Sequence, residues 1–190
     1  MIANIGFGVL VITLVTSLIA VITAIYGVTS KTRAMLETSR LAALSTFPLL
    51  SIAIAALIVL LLSGNFEYVY VYQTTSLSMP AYLKVAALWG GQQGSLLFWC
   101  WLLSGFTFIV LVRKWKQDRD LLPWVIVVTN ITLFFFAILV LFFENPFLKY
   151  YIMYNGEIMT SLFQPFHAIT ANPTDGSGLN PLLRHIGMVV

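Results

Sequence analysis

Charge is what this sequence lacks most. Of its 190 residues only 9% are Asp, Glu, Lys or Arg and 59% are hydrophobic, whereas a soluble domain carries roughly 25% charged residues. The deficit excludes an ordinary soluble fold, and the abundance of apolar and aromatic side chains excludes intrinsic disorder. Cysteine is nearly absent: the single Cys100 allows no internal disulfide and sits in an apolar run, so it carries no information on redox compartment. The glycines are not followed by Gly-Lys-Ser/Thr, so there is no P-loop, and no nucleophile elbow accompanies Asp175 and the two histidines. No internal repeat or low-complexity tract is visible. The formal net charge of +3 comes from short basic clusters beside apolar runs. Membrane topology explains that arrangement without a nucleic-acid partner.

What is present is hydrocarbon-compatible length. Mean hydropathy is +0.93, and four runs are long enough to cross a bilayer: 5–28, 41–63, 95–112 and 121–143. The first has no charged residue over 24 positions, about 36 Å of helix at ~1.5 Å per residue, which covers a ~30 Å hydrocarbon core. No basic residue precedes it, and it exceeds the ~7–15 apolar residues of a signal-peptide core, so it reads as a retained helix. The expected fold is an all-α polytopic membrane bundle of four helices with an amphipathic segment on its outer face. Lys31, Arg33 and Arg40, then Arg113, Lys114, Lys116 and Arg119, place seven of the ten basic residues in two short loops. Lys84, Lys149 and Arg184 are scattered over the longer stretches 64–94 and 144–190. The positive-inside rule then predicts both short loops in the cytoplasm and both termini outside.

The long loops are unusual. Phe66, Tyr68, Tyr70 and Tyr72 alternate with Glu67, Val69, Val71 and Gln73. Two readings fit: an extended strand at the membrane surface, or an interfacial aromatic belt, the commoner use of such residues. The chain ends with apolar character rising again at Ile186, Met188, Val189 and Val190, as expected of an amino-terminal piece of a longer protein.

The run from Tyr82 to Trp101, YLKVAALWGGQQGSLLFWCW, is the richest in information. Glycine costs up to ~1 kcal/mol relative to alanine inside a helix, so Gly90, Gly91 and Gly94 predict a helix break over 91–95. Broken backbone at membrane depth is tolerated where it is buried in protein or lines a cavity. The freed amides and the side chains of Gln92, Gln93 and Ser95 are expected to face a polar cavity or the outer surface. Trp89, Trp99 and Trp101 offer flat faces suited to a planar ligand. A simpler reading has a short surface helix, 81–88, turned by glycines into the third span, with tryptophans anchored at headgroup level. His167 and His185 are candidate metal or haem ligands by residue type alone; their spacing matches no zinc site. No ionisable residue lies within the four spans, which argues against proton-coupled transport.

Four motifs in order carry a resemblance. Lys84 to Trp99, KVAALWGGQQGSLLFW, resembles the signature of the CcmF family, the haem lyase subunit of bacterial cytochrome c maturation, within a wider haem-handling superfamily. Asn145-Pro146-Phe147 is similar to that family's Asn-Pro-Phe after the fourth span, and Asp175 to Leu183 resembles its Asp-Gly-x-Gly/Asp-Leu-Asn-Pro-Leu-Leu. Gly187-Met188-Val189-Val190 resembles the tetrad preceding its His-Pro-Pro. Gln92-Gln93 stands where the family usually has His-Glu, and the family's haem-ligating histidines fall beyond Val190.

The resemblance implies a bacterial inner-membrane protein with its working loops in the periplasm. The complete protein would take haem from a haem chaperone and work with other maturation subunits. It would hold the haem against apocytochrome c while thioether bonds form. On this basis Trp89, Gly90, Gly91, Gln92, Gln93, Gly94, Ser95 and Trp99 are assigned to a wall of the haem platform. No catalytic residue and no metal ligand are assigned, and the 190 residues alone are expected neither to catalyse nor to bind haem. The alternatives are a membrane scaffold subunit and a small transporter component.

Overall fold

The computed structural model describes residues 1–115, 118, 120–149, 151–154, 157–158, 168–169 and 174–180. Four long helices form a bundle: α1 (Ile2–Thr29), α2 (Arg33–Ser63), α5 (Gln92–Lys114) and α6 (Leu122–Ile138), the last continued by a π-helical turn, Leu139–Phe143. Two short helices, α3 (Val69–Thr74) and α4 (Ala81–Ala86), lie between α2 and α5. Beyond α6, β1 (Tyr151–Tyr154) pairs antiparallel with β2 (Glu157–Ile158) and parallel with β3 (Ala168–Ile169). Among the described residues, four helices are long and apolar enough to cross a membrane, the shortest spanning 22 residues from Leu122 to Phe143. At ~1.5 Å per residue that is about 33 Å.

The helices pack in a ring: α1 against α2 and α6, α2 against α5, and α5 against α6. Lipid tails are as apolar as leucine, so close backbone approach through small residues holds such a bundle together. On α1 the buried positions include Ala3, Gly6, Ala20, Ala24 and Gly27. A Cβ on Gly27 would stand 2.8 Å from Leu36 Cδ2. The turn from α1 to α2 is only residues 30–32, with Lys31 at φ 51° and Thr32 N–H donating to Gly27 O at 3.0 Å. Gly64, left-handed at φ 65° and ψ 35°, ends α2, the usual role of a glycine just past a helix.

Two expectations change. The stretch 33–40, read as loop, is the first part of α2, and Arg113 and Lys114 form the last turn of α5. The basic clusters are therefore helix ends more than loops. Cations in the last turn of α5 also complement the helix dipole. The alternating segment 66–73 is not a strand: Val69–Thr74 is helical. Nor is it a surface belt, since Phe66, Tyr68, Val69, Tyr70 and Val71 are all buried. Alternation has no meaning where both parities are covered by protein.

Candidate functional site

The two ends of the bundle differ. At one end the connections are short and basic. At the other, the segments 64–91, 144–149 and 174–180 pack against one another and against the start of α1, bringing three of the sequence motifs together.

The glycine-rich break is built around a tyrosine. Tyr70, 1% exposed, donates its phenolic hydrogen to Ala87 O at 2.6 Å, with Leu88 O as a second acceptor at 3.1 Å. The backbone amides of Gly91 and Gly94 lie close to the phenol oxygen. One side chain thus donates to two carbonyls released after α4, groups of the kind a helix terminus leaves without an intrahelical partner. Burial pushes the Tyr70 pKa well above its usual value, against the pull of the two glycine amides.

The fit leaves no room for side chains. A Cβ at Gly94 would collide with Leu88 O and the Tyr70 hydroxyl, and one at Gly91 would stand 2.8 Å from Tyr70 Cε2. Gly90 is covered by Leu179, which arrives from the Asp175 motif. Asp175 Oδ1 accepts from Leu77 N–H at 2.8 Å and Gly176 N–H at 2.7 Å. Ser177 N–H donates to Tyr72 O at 2.8 Å and Gly178 N–H to Thr75 O at 3.1 Å. The Asn-Pro-Phe motif docks beside it: Asn145 Oδ1 accepts from Phe147 N–H at 2.9 Å, and the Phe147 ring covers Gly6 of α1. Leu148 O accepts from Val69 N–H at 2.9 Å. Lys149 Nζ donates to Glu67 Oε2 at 2.9 Å and lies 5.1 Å from the Tyr68 ring centroid. Burial alone would lower the Lys149 pKa; the Glu67 hydrogen bond and the neighbouring Tyr68 outweigh it and hold it above its usual value.

The break lies earlier than 91–95, over residues 87–91 between α4 and α5. Helix α5 already begins at Gln92 with Gly91 as its extended N-cap, φ −135° and ψ 168°. The amides of Gly91 and Gly94 lie close to the Tyr70 phenol and not in a polar cavity. Gln92 is exposed and Gln93 half-buried. Ser95 Oγ donates to Trp89 O at 2.9 Å, tying the first turn of α5 to the segment before the break.

Trp89, Ser95, Phe98 and Trp99 line an open groove of about 350 Å³, near the lower end of small-molecule sites. Trp89 is 39% and Trp99 63% exposed. The Trp89 ring packs on Phe98 at 5.9 Å, and Phe98 stacks on Trp101 at 5.8 Å with 26° between planes. Trp101 in turn packs on Phe47 at 5.8 Å and donates its indole hydrogen to Ser51 Oγ at 2.9 Å. The wall is therefore anchored in the bundle on one side and free on the other.

The eight residues singled out from the sequence divide. Trp89, Ser95 and Trp99 share the groove, Gly90, Gly91 and Gly94 make the close approaches behind it, and Gln92 and Gln93 do not line it. Sequence reasoning missed Tyr70, whose only signal was a row of aromatics, and Phe98. Among the described residues no group of three His, Cys, Asp or Glu converges on a metal site. His167 and His185 lie outside the described residues, as does the motif 187–190.

A protein of Haemophilus influenzae named cytochrome c-type biogenesis protein CcmF is 30% identical over 189 residues, covering 100% of this chain and 26% of that protein. The protein of the same name from Escherichia coli is 28% identical over 189 residues, again 100% of this chain and 26% of its own length. The chain is homologous to CcmF along its whole length. No family model matches. A solved structure, cytochrome c heme lyase CcmF, superposes with a TM-score of 0.73 over 77% of this chain and 25% of its own, at 22% identity. The all-α membrane bundle is thus a CcmF-type fold, and the chain is a multi-pass membrane protein with bacterial relatives. It spans about a quarter of the length of the curated CcmF relatives it matches.

Proposed function

We propose that this chain is the amino-terminal membrane unit of a cytochrome c maturation protein of the CcmF kind, and that its loop-rich end supplies a wall for haem during attachment to apocytochrome c. The observation that carries the reading is the groove of Trp89, Ser95, Phe98 and Trp99. It stands on a segment where the bundle replaces regular helix with a tyrosine-plugged break, in a chain similar throughout to CcmF.

Haem is the substrate here. The groove fits it as a surface and not as a ligand set: indole and phenyl faces match a planar macrocycle, whereas among the described residues Ser95 is its one polar lining residue and no imidazole or thiolate joins it. Trp89 and Trp99 would orient the ring and exclude lipid and water from one face. Ser95, committed to Trp89 O, would hold the two halves of the wall in register. Axial ligands and the reacting thiols would come from outside these residues. Positioning of this sort lowers the barrier by replacing a random encounter with a fixed approach.

Haem content of the complete protein tests this. Purified in detergent, the Trp89→Ala and Trp99→Ala variants should retain less haem per protein by Soret absorbance, at unchanged yield of folded protein. Equal haem occupancy in both variants would set the reading aside.

The loop-rich end is assigned to the periplasm, with both termini outside, from the basic residues at the opposite end. A cysteine introduced by Ser78→Cys, at an exposed position in the long loop, should react with a membrane-impermeant maleimide in intact spheroplasts. One introduced by Ser30→Cys, exposed in the short turn, should react only after permeabilisation. The reverse pattern would invert the assignment.

A further inference from the structure

The apolar core of the bundle is interrupted. One cluster, at the loop-rich end, contains Leu10, Leu50, Cys100 and Leu133; a separate one, at the basic end, contains Ala20, Ala43, Leu111 and Val127. Between these levels every buried residue on all four helices is polar: Thr13 and Ser17 on α1, Thr46 on α2, Ser104 and Thr107 on α5, and Asn130 on α6. All six lie near the midpoints of their helices, at the depth where a polar group costs most.

The hydrogen-bond balance of this layer is one-sided. Thr13 donates to Val9 O, Ser17 to Leu14 O, Thr46 to Ala43 O, Ser104 to Trp101 O and Thr107 to Leu103 O, all within 2.7–2.9 Å. Each hydroxyl hydrogen is thus committed to its own helix, leaving the oxygens as acceptors. Asn130 is 1% exposed. Its Nδ2 donates to Ile126 O at 3.1 Å, while its buried Oδ1 has no partner among the described residues. Turning the amide over would leave the NH₂ group short instead, so one end of the side chain lacks a protein partner either way. A layer rich in acceptors and poor in donors is completed by a small neutral molecule that brings hydrogens.

We infer that the middle of the bundle binds water, with at least one molecule donating to Asn130 Oδ1 and to a hydroxyl oxygen of the layer. Buried water makes such bonds to otherwise unsatisfied polar groups. The layer also fixes helix register, because sliding a helix by one turn would set polar groups against a hydrocarbon cluster.

Water-edited solid-state NMR of the complete protein in lipid bilayers tests the inference. Magnetisation from water should reach Thr13, Thr46, Thr107 and the Asn130 side chain, while the buried alanines Ala24 and Ala53, above and below the layer, stay dark. Asn130→Leu should abolish the transfer to the threonines. Threonines as dark as the alanines in the wild-type protein would overturn the inference, with no variant needed. So would transfer that persists undiminished in a folded Asn130→Leu protein, or a melting temperature that rises with added Na⁺ or K⁺, since a cation would then be completing the layer.

Discussion

The two ends of this bundle solve different problems. At the basic end α1 and α2 are joined by a three-residue turn, and among the described residues Glu37 accepts from Trp115 Nε1 at 3.0 Å and pairs with Arg40 at 3.5 Å, with the Arg40 guanidinium 5.1 Å from the Trp115 ring centroid. At the loop-rich end, three segments distant in sequence interlock through backbone hydrogen bonds, with glycines admitting neighbours where no Cβ fits. Charge sets the first end and close packing the second. The contrast shows where specificity lies: an exposed ion pair contributes about 0–1 kcal/mol, whereas a buried polar network fails as a whole when one member is removed.

Substitutions can break the comparison in order of size. Gly94→Ala should be the most severe, because the added methyl collides with a backbone carbonyl and the Tyr70 hydroxyl. A loss of about 3 kcal/mol is expected, the upper range for overpacking, read as a fall in melting temperature in detergent. Tyr70→Phe should follow, at about 2 kcal/mol, since it removes the buried hydroxyl that donates to Ala87 O and Leu88 O. The same variant separates the ends by pH. Burial raises the folded-state pKa of Tyr70 above 10.0, so the fold favours the neutral phenol. Its contribution is complete below pH ~10 and drains away as the pH climbs through the folded-state value. Alkaline destabilisation should therefore be shallower in Tyr70→Phe than in the parent.

Smaller effects sharpen the picture. Asp175→Ala removes an acceptor of two backbone amides and should cost about 1–2 kcal/mol, with Asp175→Asn recovering most of it because an oxygen remains. At the basic end, Glu37→Gln keeps an acceptor for Trp115 and loses only a partly exposed ion pair. It should cost no more than about 1 kcal/mol. A basic-end loss equal to that of Tyr70→Phe would erase the distinction.

The parts legible in the sequence are those governed by local composition. Charge-free runs mark the spans, and the short surface helix over Ala81–Ala86 and the glycine break after it follow from residue type. What was not legible depends on contacts across the chain. Tyr70 meets Ala87 from 17 residues away, and Asp175 meets Leu77 from 98; no spacing rule links them. The Phe66–Tyr72 alternation misleads because protein covers both faces of a short helix. Helix α2 begins at Arg33 inside a basic cluster, since charges at a membrane surface extend a helix as readily as they form a loop. The tryptophans were legible as flat surfaces, but that Trp89 and Trp99 share one groove through Phe98 required the fold.

The central claim is that the groove at the loop-rich end handles haem. Cytochrome c yield in cells carrying the complete protein tests it most directly, comparing Trp89→Ala/Trp99→Ala with Trp124→Ala, an exposed tryptophan at the basic end. With membrane levels matched, the account predicts a marked loss of holocytochrome in the double variant and parental yield in Trp124→Ala. Parental yield in both, or an equal loss in both, would contradict it.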